Sequence, residues 1–130
     1  MCIRDSADAV LELCADAVAN EDELRAVWSL LRQMCEVGLA RTVATALVGA
    51  RAPAACEARG EPYRPVRHAR LLVGAAEVEV LGGAYDLAET LYVQAEEAVK
   101  DSTSVVADWV RNTARGGPVS YTHLTLPTKA

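Results

Sequence analysis

The sequence contains no phenylalanine, and aromatic residues make up only 5% of it. That excludes a core built like a sheet sandwich, which draws on aromatic and β-branched side chains. Lysine is nearly absent too, standing only at Lys100 and Lys129. With Lys and Arg together at 13 against 18 Asp and Glu, the net charge is −5. Phosphate affinity comes from an excess of cations, so this balance argues against a general nucleic-acid binder. No apolar run approaches the length of a membrane span, and the opening "MCIRDSADAV" lacks a secretory hydrophobic region. A cytoplasmic location is the expectation.

Cysteine is present but without a metal-binding or redox pattern. Cys14, Cys35 and Cys56 are widely separated, none forms a C-x-x-C pair, and each falls in an apolar helical pattern. Buried free thiols account for them better than a zinc or redox site, and no cofactor is expected.

What is abundant is alanine, with valine and leucine, over a length that suits about one domain. Small residues allow helices to approach closely, so the expected class is all-α. The apolar spacing predicts a first helix from about Ala7 to Ala19 and a second to about Glu36. Asn20 and Glu23 stand as a capping box before the second, which should bury Leu24, Val27, Leu31 and Met34. Gly38 is expected to break it, and a third helix follows from about Leu39 with Val43, Leu47 and Ala50 on one face. The stretch "RAPAACEARGEPYRP" reads as a broken helix or connector. Pro65 opens the next helix, which ends at Gly82 and Gly83. Ala84, Ala88, Leu91, Tyr92, Ala95, Ala98 and Val99 then follow the spacing of a core-facing stripe. Asp101, Ser102 or Thr103 caps a last helix from Ser104 to Arg115.

The two ends read differently. One permitted back-translation of "MCIRD" has a reverse complement that encodes "VSYTH", the string at Val119 to His123. The same nucleotide string resembles the mosaic-end adaptor of transposase-based sequencing libraries, and its continuation encodes Leu124 to Thr128. Residues 1–6 and 118–130 are therefore expected to be translated adaptor, and the interior a fragment of a longer protein. Setting aside Arg4, Asp5 and Lys129 removes two cations and one anion, so that interior is more acidic still. Its Arg-for-Lys and Ala bias points to a GC-rich bacterial genome.

Internal periodicity links the later helices. Gly82 and Gly83 recur as Gly116 and Gly117, 34 residues on. With Gly83, Tyr85, Ala88, Tyr92 and Ala95 at their spacing, "GAYDLAETLYVQAEEAVKDS" resembles the second helix of a tetratricopeptide repeat (TPR). Leu72, Ala75 and Ala76 take packing positions in the partner helix. A weaker earlier copy aligns Gly38 with Gly83, at an offset of 45 residues. The large aromatic early in the Leu72 helix and the Pro after Ala98 that the family usually carries are absent.

The resemblance implies antiparallel helical hairpins stacked as a short TPR-like α-solenoid over residues 7–117, working as a non-catalytic protein-interaction or regulatory scaffold. By the family's pattern the concave face would present Arg25, Trp28 and Arg32, then Arg70, Val73 and Glu77, then Ala107 and Arg111. Trp28 serves equally well as core. Guanidinium forks pair with carboxylates, so the implied partner is a protein or acidic peptide. Arrays of this Ala- and Arg-rich style resemble those inside large ATP-dependent bacterial transcriptional regulators of the MalT-like type.

Other features carry less chemistry. "RPVRHAR" concentrates Arg64, Arg67, His68 and Arg70, but without the glycines of a phosphate-cradling loop it reads as a solvated basic face. His68 has no nucleophile or orienting group beside it in sequence. Glu77 and Glu79 fall on different helix faces, which disfavours a di-iron bundle. "LAETLYVQAEEAVKD" loosely resembles the helix-turn-helix end of bacterial response regulators, the alternative reading. Its recognition helix would carry Glu96, Glu97 and Asp101 against Lys100, a poor match to phosphates.

Overall fold

The computed structural model describes residues 3–116, with side chains from Ser6 onward. Those residues are all helical in their regular structure: α1 (Ile3–Ala15), α2 (Glu21–Gln33), α3 (Val37–Arg51), α4 (Pro53–Arg59), α5 (Pro65–Leu81), α6 (Tyr85–Ala98) and α7 (105–116). No helix among them is long and apolar enough to cross a membrane. Helix α1 takes in Ile3 to Ser6 of the expected adaptor stretch. The adaptor reading of residues 118–130, with Tyr121 and His123, lies outside the described residues.

The chain divides into two compact units, Met1–Tyr63 and Arg64–Ala130. In the first, α3 packs on both α1 and α2, and α4 returns onto α3. Leu24, Trp28 and Leu31 of α2 meet a core completed by Val10, Ala40, Val43, Ala44, Leu47 and Cys56. In the second, α5 and α6 form an antiparallel hairpin, with more extensive contact than any other pair among α1–α6. Ala88, Tyr92, Ala95 and Val99 form the buried stripe of α6, as the spacing predicts, while Ala107, Val110 and Ala114 bury one side of α7.

Several local expectations change. Asn20 makes no capping bond; its Nδ2 donates instead to the Leu13 carbonyl, 3.2 Å away, and closes the α1–α2 turn. Glu21, Asp22 and Glu23 supply the favourable first-turn charge instead. Met34 is exposed, because α2 has ended before it could turn inward. Gly38 lies inside α3 and breaks nothing. The break is at Cys35, whose φ of 57° is left-handed. The connector with Pro53 holds a short helix, and Ser104, not an earlier residue, caps α7 by accepting the Ala107 N–H at 3.1 Å.

Cys35 belongs to a motif that appears three times among the described residues. Behind α2 the Cys35 and Glu36 N–H groups donate to Arg32 and Leu31. Behind α4, Gly60 and Glu61 donate to Glu57 and Cys56, and behind α5, Gly83 and Ala84 donate to Val80 and Glu79. These paired bonds satisfy the last carbonyls of each helix through a left-handed residue. Gly60 and Gly83 adopt it at φ 71° and 78° without steric cost, whereas a cysteine Cβ crowds its own carbonyl. Cys35→Gly is expected to raise stability by about 1 kcal/mol, measured as a higher urea midpoint; an unchanged or lower midpoint contradicts it.

The motif also corrects the register of the earlier hairpin. Aligning Cys35 with Gly83, rather than Gly38, pairs Ala40, Ala44 and Leu47 of α3 with Ala88, Tyr92 and Ala95 of α6. All six are buried.

Candidate interaction surface

On α2, Glu21, Leu24, Trp28 and Leu31 share one buried stripe at helical spacing. Arg25 and Arg32 stand along its edge, each half-buried. Such a position lets the aliphatic stem cover apolar surface while the guanidinium reaches outward. The Arg32 guanidinium lies 5.0 Å from the centroid of the Trp28 ring, a cation–π contact. Arg25 has no ion-pair partner among the described residues. Trp28 itself is 6% exposed, and its buried Nε1–H has no hydrogen-bond partner in the structure. Sequence left Trp28 open between core and contact; the structure makes it core with one rim against Arg32.

The second unit scatters the remaining candidates. Arg70 is exposed and Glu77 half-buried, but Val73 is 1% exposed and Ala107 is fully buried. Neither offers a surface to a partner here, because α5 is apolar around most of its circumference and α7 turns Ala107 into the core. Arg111 is also reassigned. Its Nη2 donates to the carbonyls of Val99 (2.7 Å) and Ser102, and its Nη1 to Asp108 Oδ1 at 2.7 Å. These bonds tie the end of α6 to α7 and satisfy carbonyls the helix end leaves open. Arg111 is a structural strut.

Two polar groupings were not anticipated. In the first unit, Arg51 donates to both carboxylate oxygens of buried Glu21, Nε at 3.3 Å and Nη2 at 2.6 Å. Glu61 approaches Arg51 at 3.7 Å and Arg59 at 3.3 Å, extending the cluster outward. The hydrogen bond to Glu21, set against desolvation, holds the Arg51 guanidinium above its ordinary pKa. Sequence offers one hint of this: Glu21 continues the apolar stripe of α2, and a carboxylate there needs a partner. Nothing in the sequence names Arg51, 30 residues away, as that partner.

In the second unit, α6 and α7 line an open cleft of about 300 Å³ between Val93, Glu96, Glu97, Lys100, Arg111 and Arg115. Its charges are largely compensated, Lys100 pairing with Glu97 at 2.8 Å and Arg115 with Glu96 at 2.9 Å. Glu96 and Arg115 belong to helices joined by a turn, so this pairing reinforces the same corner that Arg111 holds.

The cysteines and His68 take separate positions. Cys56 is buried, its Sγ–H donating to the Arg51 carbonyl at 3.6 Å. Cys14 is half-buried, and burial pushes its thiol pKa up. Cys35 is exposed, contrary to the expectation of a buried thiol, since the turn it forms lies at the surface. Burial lowers the pKa of His68 below its ordinary value. Among the described residues no three His, Cys, Asp or Glu side chains converge as metal ligands.

Comparison with protein-family models, with curated proteins and with solved structures finds no match to this chain.

Proposed function

We propose that the chain is a non-catalytic helical scaffold of TPR-like hairpins that binds acidic peptide segments of a protein partner, as part of a larger bacterial regulatory protein. The observation that carries this reading is the edge of α2. There Arg25 and Arg32 flank Trp28 on adjoining helical turns, one guanidinium unpaired and the other stacked on the indole. Planar, permanently charged guanidinium groups recognise carboxylates by paired hydrogen bonds. A stacked guanidinium is partly ordered before it binds, which reduces the entropy lost on contact. The recurrence of one turn motif and one buried register in α2–α3 and α5–α6 supports the hairpin half of the reading.

The DNA-binding alternative has no comparable support. Glu96 and Glu97 sit where the recognition helix would face phosphate, and the cations beside them are engaged in ion pairs.

The test is fluorescence anisotropy of the full chain with a labelled peptide rich in Glu and Asp. Arg25→Glu and Arg32→Glu are each expected to weaken binding about tenfold, equivalent to about 1.4 kcal/mol, with the unaltered chain losing affinity as salt rises. Arg70→Glu serves as an exposed charge-matched control. Binding that survives both α2 reversals overturns the assignment.

A further inference from the structure

Trp28 carries a buried donor that bonds to nothing. Its indole is almost wholly buried, yet Nε1–H finds no acceptor among the described residues. An N–H so placed has given up water without gaining a partner, and the folded chain bears the desolvation cost. Packing alone does not call for the nitrogen, since Leu24 and Leu31 fill the same stripe of α2 with no polar atom. Glu21, the carboxylate on that stripe, does not supply the acceptor, because both its oxygens accept from Arg51. Buried donors are paired almost everywhere in folded proteins, so an exception calls for a specific partner.

The surroundings indicate the chemistry of that partner. Arg25, Trp28 and Arg32 recur at i, i+3 and i+7, so the indole stands between two guanidinium groups on one side of α2. The Arg32 guanidinium lies 5.0 Å from the ring centroid and makes a further interaction besides. Arg25 is half-buried and has no ion-pair partner among the described residues. Three donors, two of them cationic, suit an anion with more than one oxygen. A carboxylate meets that description: one oxygen can accept from a guanidinium while the other accepts from an N–H. Arg32 is also a movable cover. Its aliphatic stem lies along apolar surface and its head can turn outward, so a carboxylate that draws the guanidinium off the ring opens the indole rim.

We infer that the Trp28 Nε1–H is the third donor of the α2 edge. One carboxylate of a bound acidic peptide accepts from the indole N–H through one oxygen and from Arg32 through the other, as Arg32 leaves the ring. Binding then relieves a cost present only in the free chain, so this bond contributes more than an exposed one does. It also makes the edge selective for a carboxylate over an amide of the same shape, whose neutral oxygen is the weaker acceptor for both donors. The inference rests on the reading of the α2 edge as an acidic-peptide site and adds the atom that fixes one carboxylate in place.

The experiment records 1H–15N spectra of the 15N-labelled full chain during titration with the Glu- and Asp-rich peptide. The sequence has two tryptophans, and Trp109→Phe, at an exposed position on α7, tells their indole resonances apart. At saturation the Trp28 indole proton should move downfield, as on forming a hydrogen bond, while that of Trp109 stays in place. A peptide with Gln and Asn in place of Glu and Asp should move neither. Trp28→Phe, checked by circular dichroism for unchanged helicity, keeps a ring but loses the N–H. It is expected to weaken acidic-peptide binding about tenfold, equivalent to about 1.4 kcal/mol. A merely structural indole would instead lower the urea midpoint and leave affinity unchanged, which overturns the inference. Binding that depends on Arg25 and Arg32 but leaves the Trp28 resonance of the unaltered chain in place overturns it alone. An equal downfield move with the Gln and Asn peptide overturns the carboxylate assignment. Failure of the acidic peptide to bind at all removes the site and the reading beneath it together.

Discussion

Arg51→Met is expected to lower stability by about 3 kcal/mol. Glu21 is 6% exposed and carries a carboxylate whose two oxygens both accept from Arg51. Removing the guanidinium leaves a negative charge in a site where water solvates it poorly, and the desolvation cost falls on the folded state alone. The Arg51 side chain is 17% exposed and Glu21 keeps a further interaction, which places the loss at the low end for breaking a buried pair. Replacing both partners together, Glu21→Leu with Arg51→Met, should recover most of the loss, because no uncompensated charge then remains. Urea unfolding followed at 222 nm measures both. A single-variant loss below about 1 kcal/mol, typical of a solvent-screened surface pair, refutes the buried-pair account.

Leu47→Ala should cost about 3 kcal/mol, within the range of 2–5 kcal/mol for buried Leu truncations. Leu47 is 1% exposed on α3, which packs against both α1 and α2 and has α4 folded back upon it. A helix held on several sides cannot collapse into the space left by the lost methyl groups, so the cavity term persists beside the lost transfer energy. The position equivalent to Leu47 in the corrected register is Ala95, also fully buried. One register therefore accepts two sizes, each matched to its own neighbours. The loss is read from the same urea transition. A cost under about 1 kcal/mol, as for a site that closes up, contradicts the packing described.

The register correction shows how local signals mislead. Gly38 was the obvious helix breaker by residue type, and it stands three residues from the true break. Intrinsic preference favours glycine in the left-handed turn, yet Cys35 occupies it because α2 and α3 are held at the separation that turn demands. At α5 the same preference and the same tertiary demand coincide at Gly83, and there the sequence reading holds.

The candidate surface divides in a similar way. Arg25 and Arg32 are readable as neighbours from helical spacing alone, and the structure keeps them at one edge of α2. Arg111 looked equivalent by type and spacing. Its role as a strut depends on the carbonyls of Val99 and Ser102 arriving within reach, which the α6–α7 turn decides. Val73 was assigned by family pattern to an open face, but its helix is apolar on nearly every side, and apolar surface is buried wherever packing allows.

By itself the sequence determined that the chain is helical, that α5 begins at Pro65, and that α6 buries an alanine stripe around Tyr92. These follow from short-range periodicity and residue conformational preference, which act within a few turns. Only the tertiary structure decided that Glu21 pairs with Arg51, that Cys35 ends α2, and that the Trp28 N–H lies buried with no partner among the described residues. Each depends on which distant surfaces meet, and that is set by the packing of whole helices.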